Sequence, residues 1–229
     1  MIVYSCLTSG YDQFPVVPAP EPGVRYLLFS DSVDHAPAPW QVIPLRDAGL
    51  SPRRLSRAPK IRPYCFLPPH SVSVYIDANI NLHERAALRP VAEAALERAD
   101  IAVPRHVKRK WEMRKHSHTC TYAEAKVCAE LSLDRRERID AQMQRYREAG
   151  FPEEFGLLEN CFIIRRNNDA TRALNEMWWS EYLAGSERDQ LSLMFCLWSL
   201  GMRWHELSIN ARNNHFYTQR LHLKSRRAA

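Results

Sequence analysis

Glycine is scarce in this chain, with seven residues among 229. No GxGxxG, Walker A or GxSxG pattern occurs, which argues against a glycine-rich phosphate cradle. Long apolar runs are also missing. No stretch approaches the ~20 apolar residues of a membrane span. The opening IVYSCL run has neither the basic segment nor the long apolar segment of a signal peptide. The six cysteines, Cys6, Cys65, Cys120, Cys128, Cys161 and Cys196, form no CxxC pair and mostly sit in apolar stretches. That pattern predicts buried free thiols in a reducing compartment, neither a disulfide framework nor a zinc site. A soluble cytoplasmic protein is expected.

What is present is ordinary globular composition, 45% hydrophobic and 25% charged, at a length that suits one α/β domain. The net charge of +6 is unevenly spread: basic residues gather at 53–62, 105–115 and 212–227. Such clusters suit a diphosphate, a nucleic acid or an anionic membrane surface, or are simply solvated. No nucleic-acid module is recognisable, and Trp178, Trp179, Phe195 and Trp198 fall at helical spacings that read as core. Nucleic acid is therefore not an expected partner.

The first part of the chain reads as strands separated by proline-rich loops: 2–7, 25–29, 40–45 and 72–76. The later part reads as helical. Helices are expected over 90–99, from a capping box at Thr121–Glu124, from an Asp134 cap to Gly150, from Asn168 or Asp169 through Trp179, and over 186–200 closed by Gly201. Strands are expected at 157–164 and 202–207, before a basic, asparagine-rich tail. This order implies a mainly parallel sheet covered by helices, with ligands at the carboxyl ends of the strands. Asp31 and Asp77 are two acidic strand ends of that kind.

Five local patterns carry chemistry. Asp77-Ala78-Asn79 sets a carboxylate and an amide two residues apart past a buried strand, hard oxygens suited to Mg²⁺ or Mn²⁺. An Asx turn is the competing reading. Arg57 and Lys60, among Arg53, Arg54 and Arg62, could neutralise a diphosphate or form a basic loop surface. Asp189 with Gln190 could face a sugar, or Asp189 could merely complete a capping box with Ser186. Glu159, at the start of the CFII strand, could bind a sugar or lie on the surface. A histidine near the C-terminus could fold back to complete a metal site with Asp77 and Asn79.

Taken in order, several segments resemble one family. They are the opening strand with Tyr11-Asp12, the FSD ending at Asp31, RAPKIRPYCFLP at 57–68 and VYIDANI at 74–80. CTYAEA after His118, IDAQMQRYREAGFPEEFGLLE at 139–159, and WWSEY followed by ERDQLSL complete the set. The family is the glycosyltransferase-like group of bacteria and plants long catalogued as a domain of unknown function, with mucilage- and turgor-related plant members. The resemblance implies a single GT-A-like α/β domain with a mainly parallel central sheet flanked by helices. Residues 1–83 would form a nucleotide-sugar-binding half, 84–211 an acceptor and helical half, and 212–229 a basic C-terminal tail. Asp77 and Asn79 would bind Mn²⁺ (or Mg²⁺) with a tail histidine, His222 in preference to His215. Thr8, Tyr11 and Asp12 would lie near the nucleoside and Asp31 near the base. Arg57, Lys60, Asp77 and Ala78 would line the diphosphate or ribose. Asp189, Gln190 and Glu159 would attend the sugar and its anomeric centre. The asparagine at position 79, a neutral donor, weakens such a metal site.

The implied activity is metal-dependent, retaining transfer of a hexose from a UDP-linked donor to a saccharide or glycan acceptor. That acceptor could be lipid-linked, with the protein peripheral to the anionic inner membrane face. The alternative is a non-catalytic module that binds a sugar nucleotide or glycan.

Overall fold

The structure, a computed structural model, describes residues 1–47, 49–106 and 120–222. Strand β1 (Ile2–Leu7) is buried at every position. A strand with both faces covered needs no polar alternation, and this one has little. It pairs in parallel with β2 (Arg25–Ser30) on one side and β4 (Val72–Ile76) on the other. Beyond β2 lies β3 (Gln41–Pro44), also parallel. Beyond β4 come β7 (Phe162–Arg166), β6 (Ile101–Pro104) and β8 (His205–Leu207), giving the order β3-β2-β1-β4-β7-β6-β8. Only β7 is reversed, antiparallel to both neighbours. The expected α/β architecture with a mainly parallel central sheet is present.

Period-two alternation sends each strand's side chains to two separate cores. Ile2, Tyr4, Cys6, Phe29, Tyr75 and Ile163 face one core. It is covered by α1 (Pro52–Ile61), α3 (Thr121–Glu130), α4 (Arg136–Glu148), α5 (Asp169–Ala184) and α6 (Gln190–Ser199). Val3, Leu28, Val74, Ile76, Phe162 and Ile164 face the other, under α2 (Leu88–Leu96). A two-stranded ribbon of β5 (Ile80–Leu82) and β9 (Tyr217–Gln219) closes that side.

Several local expectations need correcting. Most of the basic run at 53–62 lies in a helix, α1, although that helix contains two prolines, Pro52 and Pro59. Ser51 caps it through Arg54 N, and Pro52 occupies the first turn, where its missing N–H costs nothing. The Thr121 capping box does not form: Cys120 holds the cap position, and Thr121 lies buried inside the first turn. Asp134 does not cap α4 either. It accepts from Ser186 Oγ at 2.8 Å and Glu187 N at 2.7 Å, so it secures the loop before α6. The strand expected over 157–164 starts only at Phe162, and that over 202–207 only at His205. The tail contributes β9, and β5 and β6 add two short strands that the sequence reading passed over. All six cysteines are free thiols, with Cys65 exposed on the surface. The basic segment 105–115 lies mostly outside the described residues. Among those residues no helix is long and apolar enough to cross a membrane.

Gly185, which ends α5, has a packing reason. A Cβ there would sit 2.5 Å from Gln142 Cδ. Gln142 is itself fixed, accepting from Ser186 N at 2.8 Å and donating to Tyr146 Oη at 2.8 Å. Gly185→Ala should therefore destabilise the protein by about 1–3 kcal/mol, the usual cost of overpacking. Urea unfolding checks this, and a loss below about 0.5 kcal/mol would mean that Gln142 moves aside freely.

Candidate functional site

Helix α1 brings Arg57 and Lys60 onto one face, because residues three apart are neighbours on a helix. That face meets the N-terminus of α6. Asp189 occupies the cap position of α6, yet its side chain makes no capping bond. The carboxylate instead accepts from Lys60 Nζ at 2.8 Å, Arg57 Nε at 3.1 Å and Asn160 Nδ2 at 3.3 Å. The capping-box reading of Ser186 and Asp189 therefore fails. Lys60 Nζ reaches the strand end as well, 3.5 Å from Asp77 Oδ1, and lies 5.1 Å from the centre of the Tyr75 ring. Tyr75 donates to the same Asp77 oxygen at 2.9 Å.

Burial would push the Asp189 carboxyl up, but Lys60 and Arg57 outweigh it and hold the group well below the usual carboxylate range. Burial would likewise lower the Arg57 guanidinium, and Asp189 reverses that, holding it above its ordinary value. The Tyr75 hydroxyl is raised well above its ordinary value, by burial first and then by Asp77, so it stays a donor. Lys60 is almost wholly buried, whereas the Arg57 side chain keeps 27% of its surface accessible.

A second set of contacts ties the chain's later part to the strand end. Asn79 is buried; its Nδ2 donates to Arg220 O at 2.8 Å, and its Oδ1 accepts from Gln219 Nε2 at 3.5 Å. Arg220 N donates to Asn79 O, and its guanidinium reaches Phe14 O and Ala78 O at 2.8 and 3.3 Å. His222 Nδ1 lies 2.6 Å from Asp12 Oδ2, with its ring against Tyr11. Asp31 accepts from Ser9 N at 2.7 Å, and Thr8 Oγ1 donates to Pro52 O at 3.3 Å, so the loop after β1 is fixed to β2 and to α1. His215 is exposed beside Phe216 and makes no recorded contact with these groups.

Glu159 is buried, not superficial. Its Oε1 lies 3.4 Å from His106 Nε2 and 3.5 Å from Arg212 Nη2. Arg212 also donates to Gln219 Oε1. Gln190 Nε2 donates to Leu158 O at 2.8 Å, holding the Glu159 segment against α6. The contacts thus close into a circuit. It runs from Asp77 to Lys60, Asp189 and Asn160, then through adjacent Glu159 to Arg212, Gln219 and Asn79.

Asn160, Arg212 and Gln219 belong to this circuit, Tyr75 adjoins it through Asp77, and none of the four was foreseen. Asn160 had a visible signal, since it directly follows Glu159 at a strand start. Its Oδ1 is buried without a hydrogen-bond partner among the described residues.

A divalent cation would find hard oxygens here. Asp77 takes its recorded hydrogen bond and ion pair through Oδ1 alone, which leaves Oδ2, and Asn79 offers an amide carbonyl. An imidazole held through Nδ1 by a carboxylate, as His222 is by Asp12, presents Nε2 as the ligand nitrogen. Among the described residues no group of three His, Cys, Asp or Glu side chains could hold a metal ion unaided. Hard oxygens of this kind suit Mg²⁺ or Mn²⁺, which usually draw further ligands from water and phosphate.

A comparison with curated proteins finds no match. Among solved structures, the chain is similar to galactosyltransferase LgtC in complex with donor and acceptor sugar analogues. That likeness has a TM-score of 0.47 and 9% identity, over 85% of this chain and 70% of that one. The family model described as TOD1/MUCI70, glycosyltransferase-like domain, matches residues 31–222, which leaves Thr8, Tyr11 and Asp12 outside the matched stretch. Since that match spans most of the chain, including Asp31, Asp77, Asn79, Glu159 and the Asp189-Gln190 pair, the protein belongs to the TOD1/MUCI70 glycosyltransferase-like domain family.

Proposed function

We propose that the protein is a metal-dependent glycosyltransferase that moves a hexose from a UDP-linked donor to a saccharide acceptor with retention. The observation that carries this reading is Lys60 Nζ, which joins the strand-end Asp77 to Asp189 at the start of α6. Two segments more than a hundred residues apart in sequence, both marked by their chemistry, meet on one buried ammonium.

In this reading residues 1–83 hold the donor, and the acceptor approaches from the 84–211 half. Arg57, with part of its side chain open to solvent, meets the diphosphate. Lys60 acts from beneath, fixing both carboxylates and adding positive charge where the leaving group becomes more anionic. Asp77, Asn79 and His222 would hold the cation, and a cation there would offset the charge that builds up on the departing diphosphate. Asp189, kept ionised, accepts hydrogen bonds from donor-sugar hydroxyls, and Asn160 Oδ1 accepts another. Gln190 and Glu159 stand beside them. The acceptor hydroxyl forms the new C1–O bond from the side on which the C1–O(diphosphate) bond breaks. Its proton passes to the departing diphosphate oxygen. A lipid-linked or anionic acceptor would suit the basic segments.

Hydrolysis and transfer assays with a panel of nucleotide sugars test this, with and without Mn²⁺. Turnover should require the metal and fall about 100-fold in Asp77→Ala, near the loss of one strong transition-state contact. Full activity in that variant would sink the metal assignment. Tight UDP binding with no turnover of any donor would favour the non-catalytic binding module.

A further inference from the structure

Arg165, in β7, is 1% exposed. Its recorded hydrogen bonds all go to neutral acceptors: Lys60 O at 2.5 Å, Ile61 O at 3.5 Å, Tyr4 Oη at 2.7 Å and Asn175 Oδ1 at 3.1 Å. Among the described residues no carboxylate pairs with it. A buried charge without a counter-ion is expensive, so its presence calls for a reason.

The acceptors supply one. Lys60 and Ile61 are the last two residues of α1, and the chain turns at once into Pro63, which has no N–H to offer. Their carbonyls are the unsatisfied groups of a helix end. A guanidinium there meets two of them and faces the negative end of the helix dipole. A neutral amide could donate to the same oxygens. The planar fork of arginine grips several acceptors at once and cannot lose its charge. Strand β7 is the rigid side of this contact, paired with β4 through Arg165 and Ser73. The side chain of the gripped residue, Lys60, is the one that spans Asp77 and Asp189.

We infer that Arg165 is a positioning residue for the donor site, locking the last turn of α1 against the sheet so that the Lys60 ammonium stays between Asp77 and Asp189, and adding its own positive field beneath the diphosphate. The field half of this inference rests on the donor-site reading above; the positioning half does not.

The test compares UDP with uridine, measured with Mn²⁺ present by calorimetry for UDP and by ligand-observed NMR for uridine. Arg165→Met keeps side-chain bulk and removes the charge, and should weaken UDP about tenfold while uridine changes less than about twofold. Tyr4→Phe, a gentler change that keeps the arginine, should weaken UDP about two- to threefold with the same selectivity. A general loosening of the fold would weaken both ligands together, and equal losses in both variants would overturn the inference. A crystal structure of Arg165→Met gives a second readout. Lys60 Nζ should leave its 2.8 Å contact with Asp189; an unmoved ammonium overturns the positioning role. Failure of the unaltered protein to bind either ligand would remove the donor-site reading, and that crystal structure would then decide the positioning alone.

Discussion

Asp189→Asn should lower stability at neutral pH by about 3–5 kcal/mol, the range seen when one member of a buried ion pair is removed. The carboxylate is buried and takes two cations and an amide. Asparagine preserves the shape but leaves Lys60 enclosed with only Asp77, at 3.5 Å. The pH dependence has a definite sign. The native carboxyl is held below its ordinary value by Lys60 and Arg57 against the opposing effect of burial. Its contribution is therefore complete above the unfolded value, near pH 4, and is lost as the pH falls further. The gap between the two proteins should be widest near neutrality and should narrow in acid. Urea unfolding from pH 7 to pH 3 measures it. A gap under about 1 kcal/mol, or one that ignores pH, would mean that the cations find equal partners elsewhere.

Lys60→Met should have an effect of similar size, about 3–5 kcal/mol, for the converse reason. Methionine fills the volume of the lysine stem but leaves Asp189 with Arg57 alone among its cations. Asp77 keeps Tyr75. With the ammonium gone, Asp189 loses one of the two contacting cations that hold its carboxyl below its ordinary value, and protonation relieves it. The loss should shrink as the pH falls. The double variant Lys60→Met, Asp189→Asn should lose less than the two single losses added, by about 1–3 kcal/mol, because the two side chains touch. Strict additivity would show that the 2.8 Å contact contributes nothing.

The central layer of the fold was legible in the sequence because burial on both faces leaves a plain mark. IVYSCL, RYLLFS and VSVYI are apolar runs too short for helices, and they became three adjacent strands. The long helix α5 behind Asn168 was also legible, as was the end of α6 before Gly201, although α6 starts only at Gln190 and not at Ser186. Helix α1 was hidden because prolines at 52 and 59 read as breakers, and its basic residues obscured the buried stripe of Leu55, Ala58 and Ile61. The three-residue strands β5 and β9 carry no period long enough to detect; their partners, not their own composition, make them strands.

At the site, residue types were readable and partners were not. The sequence suggested Asp189 as either a cap or a sugar ligand. What its carboxylate does instead of capping depended on whether Lys60, in a segment read as a loop, could reach it. Tyr75 was invisible as a site residue because a tyrosine within a buried strand looks like core, which it also is. Arg212 and Gln219 sat in a stretch that looked like a solvated tail. The value of Asp77-Ala78-Asn79 likewise came from what surrounds it: the amide that seemed to weaken a metal site also fastens residues 219 and 220 in place.

That fastening sets an order of assembly. A chain made from its N-terminus presents β1, β2 and β4 early, and domains tend to acquire structure in that direction during synthesis. The partners of Asn79 are Gln219 and Arg220, and that of Asp12 is His222, all from the far end of the described chain. The strand-end side of the sheet is thus laid down early but left unfinished until residues 219–222 arrive. A nascent chain can own the strand-end aspartate long before it owns the frame around it, which is complete only once residues 219–222 have been made.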